Sequence, residues 1–162
     1  MTGADRPGEP GARERLAILR STRTVAMVGA SANPARPSYF VATYLLASTD
    51  YEVWFVNPTA EEILGRPVYP SLDDLPDPPD LVDVFRRADD LPELLDETIT
   101  VGARTLWLQL GLRDEAIARR AADAGLRVVM NRCLKIEHAR FDGGLHLAGF
   151  DTGVITSRRR LR

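Results

Sequence analysis

The chain is poor in the residues that advertise chemistry. It has one cysteine, Cys133, and two histidines, His138 and His146. A lone cysteine excludes an internal disulfide framework and fits a reducing compartment. Neither histidine has a metal-ligand companion at helical or finger spacing, so no metal site is expected. No apolar run approaches the ~20 residues that span a bilayer, and Met1-Thr2-Gly3-Ala4-Asp5-Arg6 lacks the apolar core of a signal peptide. A net charge of −2 gives no general attraction to nucleic acid or to an anionic membrane. These absences lead us to expect a cytoplasmic protein whose partner is neither. No Ser-His-Asp order in a strand-turn-helix context, no glutamate–histidine helix motif and no Walker lysine after a glycine turn is present, which argues against a catalytic role.

What is present is one domain's worth of core. With 162 residues, 44% of them hydrophobic, the chain can bury a substantial interior. Residues 1–12 hold three glycines and two prolines and read as a flexible arm. Residues 13–157 read as a single domain and 158–162 as a basic, solvated tail. Short apolar runs predict five strands, at Thr24 to Val28, Glu52 to Val56, Leu81 to Phe85, Thr105 to Leu110 and Arg127 to Met130. Helical spacing predicts helices over 13–20, 37–47, 91–101 and 113–124, with Gly102 and Gly125 as stops. The Pro-rich stretch from Thr59 to Asp80 leaves room for a short helix over 60–64 and a turn at 72–75. Short strands or an irregular cover are expected at 145–147 and 154–156.

Strands alternating with helices imply an α/β, Rossmann-like doubly wound parallel sheet in three α/β/α layers, with the order 3-2-1-4-5 expected. Ligands of such folds lie beyond the carboxyl ends of the strands. That rim collects Gly29-Ala30-Ser31, Asn57-Pro58, Phe85-Arg86, Gln109-Leu110-Gly111 and Asn131-Arg132-Cys133. The strand-turn-helix junction at Gly29-Ala30-Ser31 dominates it. Helix-start amides lack backbone partners there and the helix dipole is positive, which suits a phosphate.

The loop Gly29-Ala30-Ser31-Ala32-Asn33-Pro34 has one glycine where the dinucleotide fingerprint wants three. The second strand ends in Asn57-Pro58, not in the acid that holds a ribose 2′-hydroxyl in NAD-binding units. An NAD(P)-binding oxidoreductase or redox sensor is therefore the alternative. Arg36 reads equally well as a phosphate-pairing fork and as an exposed loop charge. Cys133 reads as a small residue closing the fifth strand, with a reactive thiol favoured by the nearby Arg132, Lys135 and His138 as the alternative. Trp54 and Trp107 read as core, and Asp83, if buried, should find a backbone donor or an arginine.

The segments VAMVGASANPARPSYFVATYL, VNPTAEEILGRPVYPSLDDLP, DLVDVFR, LWLQLG and AGLRVVMNRCLKIEHARF resemble the CoA-binding proteins related to the N-terminal domain of the succinyl-CoA synthetase α subunit. The resemblance covers roughly residues 24 to 141. It implies a stand-alone domain that binds coenzyme A or an acyl-CoA in an accessory or regulatory role, without the catalytic parts of the synthetase. It further implies phosphate contacts at Gly29, Ala30 and Ser31, with help from Arg36 and Ser38. Nucleotide contacts would fall near Asn57 and Pro58, with lining by Phe85, Arg86, Gln109 and Gly111. The family pattern has Asp-Arg-Cys where this chain has Asn131-Arg132-Cys133, which loses a charge and keeps an acceptor oxygen. A homodimer, or a protein partner gripped through the Pro-rich stretch or the tail, is compatible with the sequence.

Overall fold

The computed structural model describes residues 9–142. The expected strands at 145–147 and 154–156, the basic tail and His146 lie outside the described residues. Five helices, α1 (Ala12–Ser21), α2 (Pro37–Ser48), α3 (Leu91–Val101), α4 (Glu115–Asp123) and α5 (Leu134–Asp142), surround seven strands among the described residues. The strands are β1 (Thr24–Val28), β2 (Glu52–Val56), β3 (Glu62–Ile63), β4 (Arg66–Tyr69), β5 (Leu81–Val84), β6 (Thr105–Leu108) and β7 (Arg127–Val129).

The sheet runs β3-β4-β2-β1-β5-β6-β7. All its ladders are parallel except the one between β3 and β4. The doubly wound, three-layer architecture is as expected; the strand number and order are not. Sequence reasoning counted five strands and placed Leu81 to Phe85 beyond the second strand. That position belongs to β4, which pairs Phe55 with Val68 and Val56 with Tyr69. β5 pairs instead with β1, Met27 opposite Asp83. Counting β4 as third gives the parallel order 3-2-1-4-5-6 of the dinucleotide-binding folds. The switch point therefore lies between β1 and β5.

The expected helix over 60–64 is a two-stranded hairpin. Leu64 and Gly65 both take positive φ, 50° and 75°, which is how a two-residue turn matches the twist of the strands it joins.

The sheet is buried on both faces because its central strands are mostly apolar on both sides, as parallel strands covered twice tend to be, with Thr24, Glu52 and Thr105 at strand starts and Asp83 as the interior exception. One face carries Ala26, Val28, Val56, Val82 and Val84 under Leu72, Leu94, Leu95 and Ile117. The other carries Val25, Met27, Phe55 and Trp107 under Ile18, Val41, Leu45, Leu134 and Phe141. α3 and α4 thus cover one side, and α1, α2 and α5 the other.

α4 starts where it does because Asp114 caps it, its Oδ1 accepting from the Ile117 amide at 3.1 Å. Asp114→Ala is expected to cost about 1 kcal/mol, readable as a lower urea midpoint with an unchanged slope. A midpoint that did not move would mean that water caps the helix equally well.

α5 was not anticipated. It is held by charge as much as by packing. Glu137, 2% exposed, accepts from Arg15 Nε at 3.3 Å and from Arg132 Nη1 at 2.9 Å. Arg15 Nη1 in turn donates to the Pro10 carbonyl at 2.9 Å. Glu9 pairs with Arg113 at 2.8 Å, so residues 9–10 are anchored at two points.

Asp83 departs from expectation. It is fully buried, yet neither carboxylate oxygen has a hydrogen-bond partner. Alternation with Leu81 places it on the face covered by α1, α2 and α5, between Met27 and Trp107 in the ladder. The expected arginine or backbone donor is not there. Burial pushes its pKa well above the ordinary 3.8.

Candidate functional site

The rim at the carboxyl ends of the strands divides at the switch point. β1 ends in Gly29, whose φ of +85° falls in the left-handed region that glycine enters without penalty. Space imposes a second demand: a Cβ here would stand 2.8 Å from the Phe85 carbonyl oxygen and 3.0 Å from Arg86 Cδ. The chain ends leaving β1 and β5 therefore touch, tied by the Phe85 amide donating to the Val28 carbonyl at 2.8 Å. The Gly29 amide donates to the Val56 carbonyl at 2.9 Å, which brings the end of β2 into the same junction.

Beyond Gly29 the loop is ordered by its own small polar side chains. The Ser31 amide donates to Ser38 Oγ at 3.0 Å, Ser31 Oγ accepts from the Asn33 amide at 3.1 Å, and Asn33 Oδ1 accepts from the Ala35 amide at 3.0 Å. Ser38 is buried, 3% exposed, so its hydroxyl closes the loop onto α2, and the Ser31 amide is satisfied from within. The start of α2 is different. Arg36 stands at the N-cap without a capping hydrogen bond from its side chain, Pro37 brings no N–H, and the first turn contains no acidic residue. The positive end of this helix is thus uncompensated by any carboxylate of its own. Arg36 itself is exposed.

Asn57 works inside the protein. Its Nδ2 donates to the Ala30 carbonyl at 2.7 Å, and its Oδ1 accepts from the Thr59 amide and hydroxyl, each at 2.9 Å. An aspartate would lose the donor to Ala30. The neutral residue at the end of β2 therefore has a local reason: it fastens the Gly29–Ser31 turn to the next loop.

Gln109 and Gly111 lie on the far side, past β6. Gln109 is buried and its Oε1 accepts from the Leu134 amide at 3.0 Å, capping α5 from 25 residues away. The Gly111 amide donates to Asn131 Oδ1 at 2.8 Å. Asn131 has φ +56°, a conformation asparagine and aspartate tolerate better than other side chains. Either residue supplies the acceptor oxygen, so Asn131 performs a fastening that an aspartate at this position could also perform. Cys133 is a half-buried free thiol in the turn before α5.

Pro58 and Arg86 meet at a cavity of about 240 Å³ on the β1–β2 side of the switch point. Its floor includes Val28, Val56 and Leu72, and its wall is Asp90, which precedes α3, with the face of α3 bearing Glu93, Leu94 and Glu97. Pro70 and Ser71, at the end of β4, complete it. Arg86 Nε pairs with Asp90 at 3.4 Å. The pKa of Glu97 is raised by burial and by the nearby Glu93 and Asp73, with Arg86 opposing. Sequence reasoning placed Pro58 and Arg86 at the rim and missed the α3 and β4 contributions. The spacing of Asp90, Glu93 and Glu97 was visible as one helix face; that this face lines a cavity was not.

Among the described residues no group of three or more histidine, cysteine or acidic side chains could hold a metal ion. No helix of these residues is long and apolar enough to cross a membrane.

Comparison with known proteins supplies the context. The family described as CoA binding domain matches residues 23–139. The uncharacterized protein YneT of Bacillus subtilis (strain 168) is 35% identical over 130 residues, covering 80% of this chain and 96% of its own. A hypothetical protein of Pyrococcus horikoshii OT3, known by its structure, is 35% identical with a TM-score of 0.80, over 88% of this chain and all of its own. A dinucleotide forming acetyl-coenzyme A synthetase of Candidatus Korarchaeum cryptofilum, solved with phosphate and ADP, is 27% identical with a TM-score of 0.63. That match covers 72% of this chain and 27% of the synthetase.

Proposed function

The chain belongs to the CoA binding domain family, and from that premise we propose that it binds coenzyme A or an acyl-CoA along the rim of its sheet. In this reading the diphosphate rests at the start of α2 beside the Gly29-Ala30-Ser31 turn, whose Gly29 and Ser31 amides are engaged within the protein, with the exposed Arg36 as the cation beside it. The role is accessory or regulatory, in the cytoplasm, and the partner is the small molecule. The observation that carries this reading is the start of α2, a helix N-terminus with no acidic residue in its first turn and no side-chain cap. It follows a turn that only glycine can make.

Titration calorimetry with CoA, dephospho-CoA, NAD and NADP tests it. CoA is expected to bind more tightly than either dinucleotide; tighter binding of NAD or NADP would overturn the assignment. Ser31→Asp sharpens the test. Aspartate keeps an acceptor for the Asn33 amide, so the loop holds, but it sets a carboxylate where the phosphates rest. Affinity for CoA is expected to fall at least tenfold, ~1.4 kcal/mol, with thermal stability unchanged. Unaltered affinity would place the phosphates elsewhere.

A further inference from the structure

Three arginines converge on one buried carboxylate. Glu137 receives Arg15 Nε at 3.3 Å on one oxygen and Arg132 Nη1 at 2.9 Å on the other, and Arg140 Nη1 stands 3.8 Å from that second oxygen. Among the described residues no other carboxylate pairs with any of the three.

One arginine is enough to neutralise Glu137, and Arg15 is the one built into the interior. Its side chain is 8% exposed and its Nη1 is spent on the Pro10 carbonyl at 2.9 Å. Arg132 and Arg140 are surplus to that need, and they keep 36% and 46% of their side chains in solvent. Like charges gathered this closely repel one another, so the needs of folding do not account for the second and third.

Arg132 is also fixed at both ends. Its amide donates to the Leu108 carbonyl at 3.4 Å, its carbonyl accepts from Trp107 Nε1 at 2.9 Å, and its guanidinium is pinned by Glu137. A guanidinium carries five N–H donors. Arg132 spends one on Glu137, and Arg140 spends none at hydrogen-bonding distance. The remaining donors of two planar forks thus flank a single Glu137 oxygen at the surface.

We propose that Arg132 and Arg140 form an anion site, separate from the start of α2, that takes a phosphate or carboxylate group. Glu137 and Arg15 are its positioning residues. The guanidinium fork matches either oxyanion, and donors already held in place lose little freedom on binding. Arg132 follows β7, across the switch point from the cavity beside β1 and β2. The site therefore stands independently of the CoA reading.

NMR titration of the full chain tests it, read at the side-chain Nε–H signals of Arg132 and Arg140. Inorganic phosphate and succinate are added separately, with ionic strength held constant by chloride, because an unspecific excess of charge responds to any salt. Saturable shifts of both signals are expected with at least one of the two anions. Saturation by phosphate alone would assign a phosphate-bearing ligand, and by succinate alone a carboxylate. Arg140→Gln, at an exposed position that meets Glu137 only at 3.8 Å, is expected to weaken this binding at least about tenfold with an unchanged urea midpoint. Arg132→Lys keeps a charge beside Glu137 without the fork and is expected to weaken it as well. Shifts that chloride reproduces, or binding that Arg140→Gln leaves unaltered, would overturn the site. A response confined to the Ser31 and Ala32 amides would place the anion at the start of α2 alone and overturn it too.

Discussion

Replacing Gly29 by alanine is expected to destabilise the protein by about 3 kcal/mol or more and to abolish the proposed CoA binding in whatever fraction remains folded. Two costs combine. The left-handed backbone at φ +85° costs a residue with a Cβ roughly 1–2 kcal/mol. The added methyl would also stand 2.8 Å from the carbonyl oxygen of Phe85 and 3.0 Å from its carbonyl carbon. These are backbone atoms at the end of a neighbouring strand, so no side-chain rotation relieves the contact. The junction that opens is the one carrying the Gly29-Ala30-Ser31 turn, beside which we propose the phosphates rest. Gly111→Ala is the control that separates the two costs. Its φ is +94° but nothing lies within 4 Å of the added atom, so it is expected to lose only the backbone part. Urea unfolding of both variants measures the difference. Equal losses would mean that β1 and β5 can part at their ends without penalty.

Asp83→Leu is expected to act in the opposite direction, stabilising the protein by about 2 kcal/mol at neutral pH, a rise in Tm of about 4–8 °C. A fully buried carboxyl with neither oxygen partnered loses its hydration on folding and gains nothing in return. A leucine of similar size has no hydration to lose. The carboxyl also writes a pH dependence into stability. Its folded pKa is raised well above the 3.8 it has when exposed. Below that value both states hold the proton and the group has no effect. As pH rises, the unfolded chain releases the proton first, so stability falls from about pH 4 up to the folded pKa and is level beyond it. Asp83→Asn removes the titration while keeping a polar group in place. Its stability is therefore expected to run flatter with pH than that of the unaltered protein, the gap widening as pH rises from about 4 toward the raised folded pKa. Parallel curves would mean that Asp83 shares its proton with a neighbour in both states.

How far the sequence could be read depended on whether an element's reasons lay within it. β1 and β2 carry their own signals, continuous apolar runs stopped by Gly29 and by Asn57-Pro58, and their limits agree with expectation to the residue. α3 likewise announces its end in Gly102, φ +84°. β3 and β4 do not. A two-residue turn of positive φ is usually written Asn-Gly or Asp-Gly, and here Leu64 occupies the first position. Pro67 lies inside β4 and argues locally against a strand. It is tolerated because the ladder to β2 begins only at Val68, leaving Pro67 opposite Glu62 in the short outer hairpin. Missing β4 then shifted the expected strand order by one place.

α5 was unreadable for a different reason. Its amino end is capped by Gln109 across the fold, and its inward-facing Glu137 is answered by Arg15 and Arg132. No window along the chain contains those partners together. The site divided similarly. Gly29 announced a turn, whereas the employment of Asn57, Ser38 and Gln109 within the protein depended on atoms that only folding brings near.

The order of the strands also bears on how much unpaired strand border the sheet offers to other chains. Among the described residues the sheet is bounded on one side by β3, two residues long with the charged Glu62 at its head, and on the other by β7, three residues long and opening on Arg127. The apolar strands that would template amyloid-like stacking, β1, β2, β5 and β6, are all interior. Unpaired strand borders recruit further chains when they are long, level and greasy; these are stubby and charged. The irregular little hairpin that obscured the sequence reading therefore acts as a selvedge: among the described residues it leaves no long apolar border on its side of the sheet.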